Sequence, residues 1–452
     1  MAVVRPFRGL RYAPEQTPDI GAVLAPPYDV LDEAARQALL ARDLHNMALL
    51  TLGRHPLTAA VPEQRYAEAA DDLRSWLTAG ILAADPEPSL YVYEQTFRLP
   101  GENWLPRRVR RGLLAAVKLE RYEAGIIHPH EHTMRGPKAD RLRLMEACRA
   151  SLGPVMAMYG DAEQRAERLL AGLDPHAALW EVETEGDVMH RFWRLTAPKQ
   201  LAAIAAAFAD TELVIADGHH RYETALAYRD EMRRVHGVLS DAPWEYALMF
   251  LGNVESGGMT VLPCHRLLRR VPGDDVPAAV ERLEAVCTRF ALPLTGTDGA
   301  VRLAVHDAVR RMVSASPDRP AFGAYWGRGR GALLTLKQGV DEQPALASLS
   351  PDYRRLGVVV LHRVLLEGAL GCTGELAEAG QNVFFTQDGL ELVRRVDAGE
   401  AQLGFLLPPT PVDQVVHLAA AGERLPHKAT FFYPKLLTGT VLLDLRPAAT
   451  IA

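Results

Sequence analysis

Cysteine is scarce in this chain: Cys148, Cys264, Cys287 and Cys372 stand far apart, with no CxxC spacing. That excludes a disulfide framework and a cysteine-built zinc site, and it points to a reducing cytoplasm. No run of about 18 uncharged apolar residues occurs, so no membrane span is expected. The opening Met-Ala-Val-Val-Arg-Pro-Phe-Arg lacks the apolar centre of a signal peptide. Positive charge is also short: 50 Lys+Arg against 56 Asp+Glu leave a net −6. Such a balance argues against a sequence-independent grip on DNA. Within the basic set lysine is the rare member. Only Lys118, Lys138, Lys199, Lys337, Lys428 and Lys435 occur, against 44 arginines (50 − 6). Three of these six fall inside the motif windows below.

What is present is an ordinary globular composition, 452 residues with 48% hydrophobic and 23% charged. This length suggests two or three domains with ample core. Patterning predicts helices from Asp32 and over about Glu63–Leu77. It also predicts a hairpin of Leu90–Arg98 with Val109–Leu119 around Pro100-Gly101-Glu102-Asn103. Strand and helix then alternate: Lys138–Arg149 (helix), Val155–Tyr159 (strand), Glu163–Leu170 (helix), His190–Leu195 (strand), Pro198–Phe208 (helix), Leu213–Ala216 (strand), His219–Val235 (helix) and Glu245–Leu251 (strand). Such alternation means α/β layering, here of mixed α+β type. Gly252–Met259 reads as a boundary, and three regions are expected: 1–105, 106–255 and 256–452. Further helices are expected over Val276–Ala291, Arg354–Leu370 and Val412–Ala421.

Four windows carry chemistry. In the first, the apolar run Leu213-Val214-Ile215-Ala216 ends in Asp217-Gly218-His219-His220-Arg221, and helical spacing follows. A strand, a glycine turn and a helix start present free N–H groups at the positive end of the helix dipole, which is an anion site. His219, His220 and Arg221 add side chains suited to phosphate. The bland alternative is two histidines capping a helix. The second window runs from Gly125 to Arg141 and contains His128, His130, Glu131, His132, Thr133 and Lys138. Its alternate histidines allow a zinc or iron reading. The preferred reading makes Glu131 a general base among them. The third, Leu425–Gly439, sets Lys428 and Lys435 around Phe431-Phe432-Tyr433, an aromatic plate suited to a nucleotide base or simply to core packing. In the fourth, Pro26-Pro27-Tyr28-Asp29, the prolines impose extended backbone. Asp29 there either holds a metal–phosphate complex or caps the following helix, the cap being preferred.

Taken in order, the Pro-Phe start, Ala25–Val30, Tyr91-Val92-Tyr93-Glu94-Gln95, His130–Thr133, Ile215–Ala225 and Lys428–Gly439 resemble the family of unknown function numbered 1015 over nearly the whole chain. The Asp217–Arg221 element, with Glu131 upstream, also resembles free-serine kinases of the ParB/sulfiredoxin-like fold over about 107–252, with 153–210 inserted. That second resemblance implies a ParB/sulfiredoxin-like core with α/β additions at both ends. It also implies a small-molecule phosphotransferase using ATP or ADP with Mg²⁺ and a hydroxyl acceptor such as free L-serine. Glu131, His220 and Asp217 would be catalytic, with Asp217 on the metal. Gly218, His219, His220, Arg221, Lys138, Arg141 and Lys428 would hold phosphate. His130, His132, Thr133, Tyr28 and Asp29 would meet the substrate. The alternatives are a phosphomonoester or nucleotide hydrolase on the same site, and a non-enzymatic nucleotide-binding switch.

Overall fold

The computed structural model describes every residue except 58–62, 103–104, 134, 316–318, 340–343, 374–379, 427 and 450. The chain forms two compact units. One comprises 1–98, 104–259 and 434–452; the other comprises 99–103 and 260–433.

The first unit is built on a nine-stranded sheet of Val4–Arg5 (β1), Leu90–Phe97 (β2), Arg108–Lys118 (β3), Ile127–Pro129 (β4), Val155–Tyr159 (β5), Trp180–Thr184 (β6), Val188–Leu195 (β7), Leu213–Asp217 (β8) and Tyr246–Asn253 (β9). Its order is β4-β8-β5-β9-β3-β2-β7-β6, with β1 pairing on β3. β4/β8 and β5/β9 are parallel, and the other pairs are antiparallel. The fold is therefore mixed α/β. Leu113, Ala115 and Val117 of β3 alternate into one core with Ile127, Leu213, Ile215, Met249 and Leu251. Leu114 and Ala116 between them are buried as well, so β3 is a central strand covered on both faces, with alternate residues going to opposite sides of the sheet.

The longer helices of this unit are Glu33–Arg42 (α1), Gln64–Thr78 (α2), Arg135–Cys148 (α3), Pro198–Ala207 (α4) and His219–His236 (α5). Leu201 and Ile204 of α4 and Tyr222 and Ala225 of α5 join the sheet's core. α3 and α5 pack on each other. The last segment, 434–452, returns to this unit. Leu442 exchanges backbone hydrogen bonds with Leu10, and Leu443 pairs with Ser151.

The second unit carries a six-stranded antiparallel sheet of His265–Leu268, Cys287–Ala291, Ala321–Tyr325, Gly331–Leu336, Val383–Thr386 and Leu403–Leu406. Among the described residues no helix is long and apolar enough to cross a membrane.

Three expectations need correction. The cut at 105 falls inside the β2–β3 hairpin, whose two strands lie side by side in the middle of one sheet. Regions 1–105 and 106–255 are therefore one unit, and 256–452 splits because its final segment pairs back onto the first unit. The helix expected over Val276–Ala291 stops at Val286, and Cys287–Ala291 is a strand against Gly331–Leu336. Thr288 and Phe290 suit extended backbone, and cross-strand pairing overrides local helical spacing. The Pro26-Pro27 loop is extended only through Pro27 and then turns as a short 3₁₀ helix, Tyr28–Val30.

Candidate functional site

The parallel pair β4/β8 sets Ile127 beside Leu213 and Pro129 beside Ile215. His130-Glu131, just after β4, and Asp217-Gly218, at the end of β8, therefore leave the sheet at the same end, and each leads into a helix, α3 or α5. The register slips between Ile215 and Asp217, an irregularity of the kind that re-aims a side chain near a site. Gly218 has φ +89°, and a Cβ there would stand 2.9 Å from Arg221 Nε. Only glycine turns the chain this sharply under the guanidinium. Gly218, the residue before α5, has no side chain to cap the helix, and the positive end of the helix dipole there suits an anion. Tyr222, one turn in, is fully buried and fixes the helix by donating to the Glu120 carbonyl at 2.7 Å.

Asp217 is held by two cations. Arg221 Nη2 donates to Oδ2 at 3.0 Å, and Lys435 Nζ stands 3.4 Å from Oδ1. Burial pushes this carboxyl's pKa up, but Lys435 and Arg221 outweigh it and hold it well below the usual carboxylate range. Arg221 also donates to the Pro154 carbonyl. Arg110, buried and pushed down to about 10 by that burial, adds charge felt by Asp217. It donates to the Gln95 side chain and the Pro434 carbonyl.

His130 and His219 meet edge to face, with ring centroids 4.6 Å apart. The His130 amide donates to His219 Nε2 at 3.2 Å, and His130 Nδ1 donates to the Ile215 carbonyl at 2.5 Å. These partners assign the proton to Nδ1 in both rings. Burial is the main cause lowering both pKa values, that of His219 to about 3, while the charge of Glu131 opposes it in each. Glu131 is thus electrostatically close to His219 across almost ninety residues of chain.

Both rings are neutral at pH 7, which sets a pH dependence. A group whose folded pKa is depressed gives its full stabilisation above the unfolded value, about 6.5, and loses it as pH falls toward the folded value. His190 of the same unit, pushed down to about 3 by burial, acts likewise. Thermal melts from pH 7.5 to 4 should show Tm falling progressively below about pH 6.5, with a shallower slope for His219→Gln. An unchanged slope in that variant would contradict the assignment.

The remaining expected residues are placed as follows. His220 is half-buried at the start of α5. Thr133 Oγ1 and Lys138 Nζ both donate to Glu223 Oε2, at 2.8 and 2.7 Å. Arg141 lies 4.1 Å over the Tyr28 ring and donates to the Thr51 carbonyl and to Asp140. His132 and Asp29 are exposed. Asp29 is not the cap of α1; Asp32 is, accepting from the Ala35 amide. Lys428 belongs to the second unit, where its carbonyl accepts from Arg266, and Phe431–Tyr433 is there a strand against Thr260–Leu262. The third window is therefore divided between the units.

Lys435 was expected only as a cation beside the aromatic plate, and Glu223 was not expected in the site. Lys435 is the lysine that meets Asp217, and its rarity was the available signal. Glu223, one helical turn beyond His219, gathers Thr133 and Lys138.

Mg²⁺ on Asp217 does not fit, because both carboxylate oxygens already face cations. Nor do the alternate histidines form a metal set. His128 meets Glu212 at 3.0 Å, His130 meets a carbonyl and His132 faces solvent. Among the described residues no group of three or more His, Cys, Asp or Glu is placed to hold a metal.

A family model described as "Protein of unknown function (DUF1015)" matches residues 4–359. No curated protein matches. Among solved structures, the chain is similar to a free serine kinase in complex with AMP (12% identity, TM-score 0.31, 68% of this chain and 83% of that one). It is similar to a mutant free serine kinase in complex with ADP (13%, 0.32, 68% and 84%). A third likeness is to SbnI with C-terminal truncation from Staphylococcus aureus (10%, 0.34, 73% and 87%).

Proposed function

We propose that this chain, which belongs to the family described as "Protein of unknown function (DUF1015)", transfers a phosphoryl group from a nucleotide, ATP or ADP, to the hydroxyl of a small molecule. The observation that supports this reading is the shared exit of β4 and β8, by which the charge of Glu131 is felt at His219 in the first turn of α5, next to the Asp217–Arg221 turn. Phosphoryl transfer asks a protein mainly for positioning and for stabilisation of charge. The α5 amides, with His220 and Arg221, would cradle the transferring phosphate. Lys138, anchored on Glu223, keeps further N–H donors for the remaining charge. Glu131 takes the acceptor's hydroxyl proton as the new O–P bond forms, and the bond to the departing nucleotide breaks. Asp217 keeps Arg221 and Lys435 aligned.

The test is nucleotide consumption by purified protein across a panel of hydroxyl compounds. Turnover that depends on an acceptor is expected. Release of phosphate from nucleotides or phosphomonoesters without one would assign the site to hydrolysis instead.

A further inference from the structure

Between α3, α5 and the Tyr28 turn lies a cavity of about 60 Å³ with Arg221 in its wall. Three features of its lining speak to an occupant. Leu144, Leu152 and Val155 make one side apolar, while Arg141 and Arg221 bring two guanidinium groups. The Thr224 hydroxyl, on a residue only 2% exposed, has no hydrogen-bond partner. A buried hydroxyl left unsatisfied is costly, so the cavity offers it to something. The charge balance around the cavity points the same way. Arg65 and Arg141 share the single carboxylate of Asp140, and Arg221 and Lys435 share that of Asp217. Both guanidinium groups that reach the cavity wall thus divide a carboxylate with a second cation, which keeps the wall itself positive.

The cavity has room for roughly four to six water-sized groups; covalently bonded atoms sit closer together than waters, so this admits a molecule of about five to seven non-hydrogen atoms. No Asp or Glu lines it. An ammonium group there would meet two guanidinium groups and no carboxylate in the wall, whereas a hydroxyl needs none.

We propose that this cavity binds a short hydroxycarboxylate, its carboxylate toward Arg141 and Arg221 and a polar group on Thr224, in preference to an amino acid of the same size. As the pocket of the phosphoryl acceptor it rests on the transfer reading above. As a binding site it does not.

The test is calorimetric titration of the full chain, without nucleotide, by D-glycerate, glycolate, L-serine and glycerol, with ADP titrated separately. D-glycerate or glycolate should bind at least tenfold more tightly than L-serine, and glycerol, lacking the carboxylate, should not bind. Thr224→Val, nearly isosteric and relieved of an unsatisfied hydroxyl, should melt no lower than the parent yet bind glycerate about tenfold more weakly. L-serine binding as tightly as glycerate, neither acid binding, or an unchanged affinity in Thr224→Val would each overturn the proposal. Failure of ADP alone to bind, with glycerate bound, would count against the transfer reading and leave the pocket standing.

Discussion

Replacing Glu131 by glutamine should cut turnover by about 10²–10⁴-fold, the usual contribution of a positioned general base, while nucleotide affinity stays within about twofold of the parent. The substitution keeps size and hydrogen-bonding capacity and removes only the ability to take a proton. Glu131 is half-buried directly after His130, and its negative charge reaches both neighbouring imidazoles. Those imidazoles cannot substitute for it easily. His130 spends its Nδ1 proton on the Ile215 carbonyl, and His219 spends its Nε2 on the His130 amide. Single-turnover assays beside nucleotide titration check the split. A variant turning over at the parental rate would remove Glu131 from the chemistry.

The strand–glycine–helix element was legible because each local preference agrees: four apolar residues, a glycine that alone accepts the turn, then helical spacing. The β2–β3 hairpin was legible for the same reason. The parallel pairing of β4 with β8 was not, since β4 is three residues long, ends at Pro129 and meets a strand more than eighty positions away. Propensity carries no information on such a partner. The choice of partners within the site was hidden likewise. Thr133 and Lys138 read as phosphate and substrate ligands, yet both lean on Glu223. His130 and His219 read as groups facing a ligand, yet they bind each other and a carbonyl. Lys435 lies beyond the residues matched by the family model. It reaches Asp217 because 434–452 folds back onto the first unit, and Thr438 bonds the Ala25 backbone on the way. The lysine scarcity pointed to its window and could not rank Lys435 above Lys428.

That return of the C-terminal segment makes Asp217→Asn the most consequential change for stability. Asp217 is largely enclosed, its side chain 19% exposed, and its partners Arg221 and Lys435 are 14% and 16% exposed. Removing one member of an enclosed ion pair leaves the others without compensation, at about 3–5 kcal/mol when fully buried. Partial solvent access reduces this to about 2–4 kcal/mol. For a unit of this size that corresponds to a fall in Tm of roughly 3–8 °C. Lys435→Met alone should cost less, because Arg221 stays on the carboxylate. In the double variant Asp217→Asn/Lys435→Met, the loss should be smaller than the sum of the two single losses by about 0.5–3 kcal/mol, since one cation no longer lacks its partner. Denaturant unfolding of the four proteins closes that cycle. Strict additivity would mean that Lys435 and Asp217 do not interact, and the C-terminal segment would then reach the site without serving it.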